Sequence, residues 1–94
     1  MAVRVICFYQ PGCMGCMEQT PINREVERKL SLKIEEIDAV KHPELIRQYG
    51  LKVTPTIVIL NNDTVEGKLE GVVHAEQLEA ALKKNINKNK KITT

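Results

Sequence analysis

Residues 3–16, Val3-Arg4-Val5-Ile6-Cys7-Phe8-Tyr9-Gln10-Pro11-Gly12-Cys13-Met14-Gly15-Cys16, set a β-branched and aromatic run, a Pro-Gly break and a CxxC in immediate succession. β-Branched and aromatic residues suit a pleated surface, so residues 2–9 are predicted as a strand, apolar enough to be buried on both faces. Pro11-Gly12 stops it. No glycine follows Gly15 until well past Leu30, and Met17, Ile22, Val26 and Leu30 recur near helical spacing. A helix is predicted from Cys13 to about Leu30, kinked at Pro21, where one backbone hydrogen bond is lost.

A CxxC that leaves a strand and opens a helix carries chemistry. On a first helical turn, residues three apart share a face, close enough for an intramolecular disulfide. Cys13, at the helix start, meets unpaired backbone N–H groups and the positive end of the helix dipole, which favour its thiolate. Cys13 is therefore the expected nucleophile. Cys16, deeper in the helix, is the expected resolving thiol with the higher pKa.

Two metal readings compete. Structural zinc needs four ligands, and Cys7, His42 and His74 offer no second pair at usual spacing. Soft-metal carriage is the sharper alternative, because Met14 and Met17 flank the cysteines with further sulfur. Those methionines are expected instead to fill gaps at the helix start. Cys7 is expected to be a small buried hydrophobe, and His42 and His74 surface residues at helix starts.

Working outward, residues 32–38 (LKIEEID) are short enough for a strand, and Pro43 opens a helix whose apolar Leu45, Ile46 and Tyr49 run to Gly50. Residues 56–60 (TIVIL) and 64–70 (TVEGKLE) form a hairpin about Asn61-Asn62-Asp63. Ala75 to Ile86 close the chain as an amphipathic helix through Leu78, Ala81 and Leu82. Residues 87–94 read as a polar Asn/Lys tail beyond a 1–86 domain. The order β-α-β-α-β-β-α predicts an α/β fold, a mixed sheet with helices on its faces. At Thr54-Pro55, directly before the 56–60 strand, both a trans strand-start proline and a cis bond fit the residues.

Composition narrows the function classes. The 94 residues carry 14 Lys+Arg against 12 Asp+Glu, a net charge of +2, which demands neither nucleic acid nor an acidic membrane. One Phe, two Tyr and no Trp leave no platform for stacking bases. No apolar stretch approaches the ~20 residues of a membrane span. Three cysteines are too few for a disulfide-stapled secreted scaffold, and the N-terminal apolar run is too short for a signal peptide. The expectation is a mature, soluble, cytoplasmic protein and a monomer.

Taken together, the strand ICFY entering Cys13-Met14-Gly15-Cys16, Asp38 ending the second strand, Pro43-Glu44-Leu45 through Tyr49-Gly50-Leu51, Thr54-Pro55-Thr56, and Gly71 before a helix bearing Leu78 resemble the thioredoxin family in its short form. The resemblance covers residues 3 to about 86. It implies a thioredoxin fold, a four-stranded mixed sheet flanked by three helices, with Pro55 cis and facing the cysteines. It further implies that Thr54 and Pro55 bind an extended substrate segment as an added strand, and that the proline discourages metal.

The implied activity is thiol-disulfide exchange: Cys13 attacks a protein disulfide and Cys16 resolves the mixed disulfide, with no cofactor and with an unidentified reductase as electron donor. An inactive adaptor is disfavoured because both cysteines are present. A glutathione-linked, glutaredoxin-like redoxin is the nearest alternative. Gly71-Val72-Val73-His74 looks like thioredoxin, whereas Thr54 and Pro11-Gly12 lean toward glutaredoxin-type or archaeal-type small redoxins. The chain departs from the family's WCGPC in having Gly12-Cys13-Met14-Gly15-Cys16. The family's buried acid aligns with Cys7 and its lysine with Glu36, so either Glu36 or water is left to assist proton transfer at the inner cysteine.

Overall fold

A side chain points to alternate faces at successive strand positions, so a strand buried at four positions running must sit inside a sheet with both faces covered. Strand β1 (Val3–Tyr9) does this at Val5, Ile6, Cys7 and Phe8. The computed structural model describes residues 3–91. Strand β2 (Ile34–Asp38) pairs parallel to β1, strand β3 (Thr56–Asn61) pairs antiparallel to it, and strand β4 (Thr64–Glu70) pairs antiparallel to β3. The result is one four-stranded mixed sheet in the order β2-β1-β3-β4.

Helices close both faces. Val5 and Cys7 pack with Val26 of helix α1 (Met14–Leu30) and with Leu78 and Leu82 of helix α3 (Ala75–Lys91), while Ile57 and Ile59 complete that core. Ile6, Phe8, Val58 and Leu60 face the other way, against Ala39 and helix α2 (Pro43–Tyr49). The Phe8 and Tyr49 rings stand 5.7 Å apart at a tilt, a favoured aromatic arrangement.

The boundaries that differ from expectation do so for local reasons. Strand β2 begins at Ile34, not at residue 32, because the end of α1 uses the intervening residues: Ser31 turns into the left-handed region (φ 53°) and both its N–H and that of Leu32 return to the Glu27 carbonyl. A 3₁₀ turn, Ala39–Lys41, follows β2 without an apolar period to announce it, and Asp38 caps it by accepting from the Val40 N–H at 2.9 Å. Helix α1 runs continuously through Pro21. Helix α3 extends to Lys91, past the expected end at Ile86. Residues 87–91, Asn-Lys-Asn-Lys-Lys, contain neither Gly nor Pro to stop it; the rest of the expected tail, 92–94, lies outside the described residues.

The hairpin forms as its residues require. Asn62 (φ 53°) and Asp63 (φ 68°) both adopt the left-handed conformation of a two-residue hairpin turn. Opposite Ile59 and Leu60 the β4 partners are Gly67 and Val65, so Glu66 is the extra residue of a bulge.

Candidate active site

The turn Gln10-Pro11-Gly12, with Gly12 at φ 75°, carries the chain from the end of β1 to the start of α1. Cys13 is the N-cap of that helix in extended conformation, and its Sγ accepts from the Cys16 N–H at 3.1 Å, one of the donors a helix start leaves unpaired. Cys13 and Cys16 are joined in a disulfide, their Cα atoms 5.2 Å apart. Cys16 is buried and Cys13 half-buried.

The segment before β3 supplies the other wall. Thr54-Pro55 is cis. The Thr54 hydroxyl donates to Cys13 Sγ at 3.4 Å, and the Thr54 carbonyl oxygen lies 3.6 Å from the same sulfur. This segment is fixed from behind by the Gly71 N–H donating to the Pro55 carbonyl (2.8 Å) and by the Thr56 hydroxyl donating to the Val53 carbonyl (2.7 Å). The structure thus brings Cys13, Cys16, Thr54 and Pro55 into one cluster.

Several contributors were not legible as such. Gly15 reads in sequence only as a weak helix residue, yet a Cβ there would stand 3.1 Å from Pro55 Cδ and 3.2 Å from Val72 Cγ2. The missing side chain is what lets α1 approach the Pro55 segment. Gln19 is fully buried: its amide N–H donates to the Val73 carbonyl and to Asn23 Oδ1, both at 3.0 Å, and its oxygen accepts from the Val73 N–H at 2.8 Å. It ties the helix carrying the cysteines to the segment entering α3. A polar residue on a helix reads as surface, so only its position three after Cys16, on the inward side, could have marked it.

Met14 and Met17 correct an expectation. At 80% and 69% exposure they fill no gap in the core; with Val53 and Tyr9 they leave apolar surface exposed near the disulfide. His42 and His74 are exposed at the starts of α2 and α3, His42 beside Glu44. Among the described residues no group of three or more His, Cys, Asp or Glu is placed to hold a metal ion.

Beside the disulfide lies a cavity of about 370 Å³ whose wall includes Cys7, Tyr9, Gly12, Cys16, Thr20 and Glu36. Cys7 is buried, and that burial pushes its thiol pKa up. Glu36 is its register partner on β2. Arg24 of α1 donates to Glu36 Oε2 at 2.8 Å and to Glu27 Oε1 at 2.9 Å, while Glu27 Oε2 accepts from the Ile34 N–H at 2.7 Å. Burial pushes the Glu27 carboxyl up, but these hydrogen bonds outweigh it and hold the group below the usual range.

The thioredoxin family profile matches residues 2–84. The chain belongs to the thioredoxin family. It is 33% identical over 76 residues to the chloroplastic thioredoxin Y of Oryza sativa subsp. japonica, covering 79% of this chain and 45% of the relative. To a thioredoxin-like protein of Synechocystis it is 32% identical, over 79% of this chain and 72% of the relative. Among solved structures, thioredoxin-2 of the malaria parasite, described as a component of that parasite's protein secretion machinery, superposes with a TM-score of 0.82 at 26% identity, over 88% of this chain and 82% of that one. This thioredoxin-family chain spans about half the length of the first curated relatives it matches. The four-stranded sheet and its three helices are accordingly a thioredoxin fold.

Proposed function

We propose that this chain is a dithiol-disulfide oxidoreductase acting on protein disulfides. The observation that carries the reading is the environment of Cys13 Sγ, a helix N-cap sulfur that accepts from the Cys16 N–H and the Thr54 hydroxyl. Donors aimed at a sulfur stabilise its thiolate, the form that attacks.

In the reduced protein the Cys13 thiolate attacks one sulfur of a substrate disulfide, forming a mixed disulfide and expelling the other sulfur as a thiolate. Cys16 then attacks Cys13 Sγ, the Cys13–Cys16 bond forms, and the second substrate sulfur leaves. The two cysteines lose an electron pair and the substrate gains it, so no cofactor enters. An extended substrate segment lies along Thr54 and Pro55, adding a short strand. The exposed Met14, Met17 and Val53 supply adaptable apolar contacts for varied partners. A separate reductase restores the dithiol. The working compartment is a thiol-reducing one, the cytosol in our reading; the sparse cysteine content supports it.

The Cys16→Ser variant is expected to accumulate covalent complexes with disulfide proteins, released by dithiothreitol, whereas Cys13→Ser captures none. Non-reducing gels followed by mass spectrometry read both. Equal capture by the two variants would remove Cys13 from its assigned role.

A further inference from the structure

We propose that the cleft beside the disulfide is a second substrate site, taking small disulfides that carry an ammonium group close to sulfur and holding that group at Glu36. The proposal rests on the dithiol-disulfide reading above and adds a substrate class to it. Two different surfaces meet at Cys13. On one, the Thr54 hydroxyl and carbonyl oxygen approach its Sγ, where an extended protein segment would lie. The other is the cleft of about 370 Å³, whose lining includes Cys13 and Cys16 but neither Thr54 nor Pro55. That volume falls within the roughly 300–1,000 Å³ of small-molecule sites. A Cβ at Gly12 would meet no atom within 4 Å, so the rim beside Cys13 is uncovered. A small disulfide can therefore reach Cys13 without adding a strand along Thr54.

The charge facing the cleft decides which small disulfide. Among the described residues of its wall, Glu36 is the one carboxylate, and Lys, Arg and His are absent. Arg24 reaches Glu36 from α1, but its guanidinium is divided between Glu36 Oε2 at 2.8 Å and Glu27 Oε1 at 2.9 Å. One cation thus serves two carboxylates, and the trio keeps an excess negative charge. Glu36 Oε1 is left to accept from an ammonium group, and the side chain is 30% exposed, so a small ligand can reach it. The exchange balances. The Cys13 thiolate attacks one sulfur of the aminodisulfide and expels the first aminothiolate. Cys16 then closes on Cys13 and expels the second, so the protein loses an electron pair and the two aminothiols gain it. One of them carries off the Cys16 proton, and the other takes its proton from solvent.

The whole chain pulls the other way. Its net charge of +2 favours anionic disulfides, so a preference for cationic ones must come from local charge. Reduced protein is mixed at pH 7 and low ionic strength with excess cystamine (cationic), bis(2-hydroxyethyl) disulfide (neutral) or 3,3′-dithiodipropionate (anionic). Acid quenching, alkylation and mass spectrometry follow formation of the Cys13–Cys16 disulfide. Each rate constant is divided by that of dithiothreitol with the same disulfide, which removes intrinsic reactivity. The normalised ratio of cystamine to dithiodipropionate is expected to be about ten in the wild type. It is expected to fall about fivefold in Glu36→Gln, to rise in Arg24→Gln, and to converge for all three proteins in about 0.5 M salt. A ratio cancels any change in the reactivity of the cysteines themselves, and opposite shifts in the two variants exclude simple loss of structure.

A wild-type ratio at or below one overturns the proposal. So does a ratio that Glu36→Gln leaves unchanged, or that the two variants move in the same direction, with circular dichroism showing intact folds. Wild-type protein that forms its disulfide with none of the three reagents would instead sink the exchange reading itself.

Discussion

At Gly15 one hydrogen atom takes the place of a side chain between the first turn of α1, the Pro55 ring and Val72. Replacing it with alanine gains about 1 kcal/mol of helix propensity but presses a methyl group against two neighbours that must give way, at an overpacking cost of about 1–3 kcal/mol. Gly15→Ala is expected to lower stability by about 1 kcal/mol net and to slow disulfide exchange, as the cysteine turn is pushed off the Pro55 segment. Urea unfolding and a disulfide-reduction assay check this; a variant that is more stable and equally active would refute it. Cys13 and Cys16 stood out in sequence because a CxxC between a strand and a helix has few bland explanations, whereas Pro55 equally fitted a trans strand-start proline and was singled out by the family resemblance. Gly15 was legible only as a defect, since the neighbours that require it are more than 35 residues away along the chain. The methionines misled for a related reason: helical spacing fixes which residues share a face, but not that Met17 looks outward.

At the scale of elements, α1 is held by polar bonds as well as by packing. Gln19 satisfies both backbone groups of buried Val73, so an apolar replacement of similar size leaves an N–H and a carbonyl without partners. Gln19→Leu is expected to cost about 3 kcal/mol, a large share of the roughly 5–15 kcal/mol that holds a small domain together. Denaturant titration measures it, and a loss below about 1 kcal/mol would show that water replaces those bonds easily. Strands were readable where β-branched runs met turn residues, as at Thr56–Asn61, and α2 was readable between Pro43 and Gly50. Ends fixed by hydrogen bonds were not. The Ser31 cap displaced the start of β2, and the 3₁₀ turn depends on Asp38, whose side chain could equally have faced solvent. Helix α3 outran its apolar stripe because residues 87–91 hold no Gly or Pro to end it.

For the whole molecule, the sheet carries an apolar core on each face, and helix α1, which bears the two cysteines, packs into one of them through Val26. Cys7 belongs to that core, and its buried thiol has a raised pKa. A thiol that stays protonated in the fold while the unfolded chain ionises contributes stability that is fully present below about pH 8.5 and is lost as pH rises toward the folded value. Oxidised protein, in which Cys13 and Cys16 do not titrate, is therefore expected to lose stability between pH 8.5 and 10.5 more steeply than its Cys7→Ala variant. Urea midpoints across that range decide it, and parallel curves would show that Cys7 ionises as freely folded as unfolded. The same burial makes the chain its own gauge in a thiol-labelling experiment. Folded oxidised molecules take no label, folded reduced molecules take it first at Cys13, and only unfolded reduced molecules take it at all three cysteines. Unfolded oxidised molecules take one label at Cys7, so the number of labels together with the position of a single label, Cys13 or Cys7, sorts a population by redox state and by folding at once.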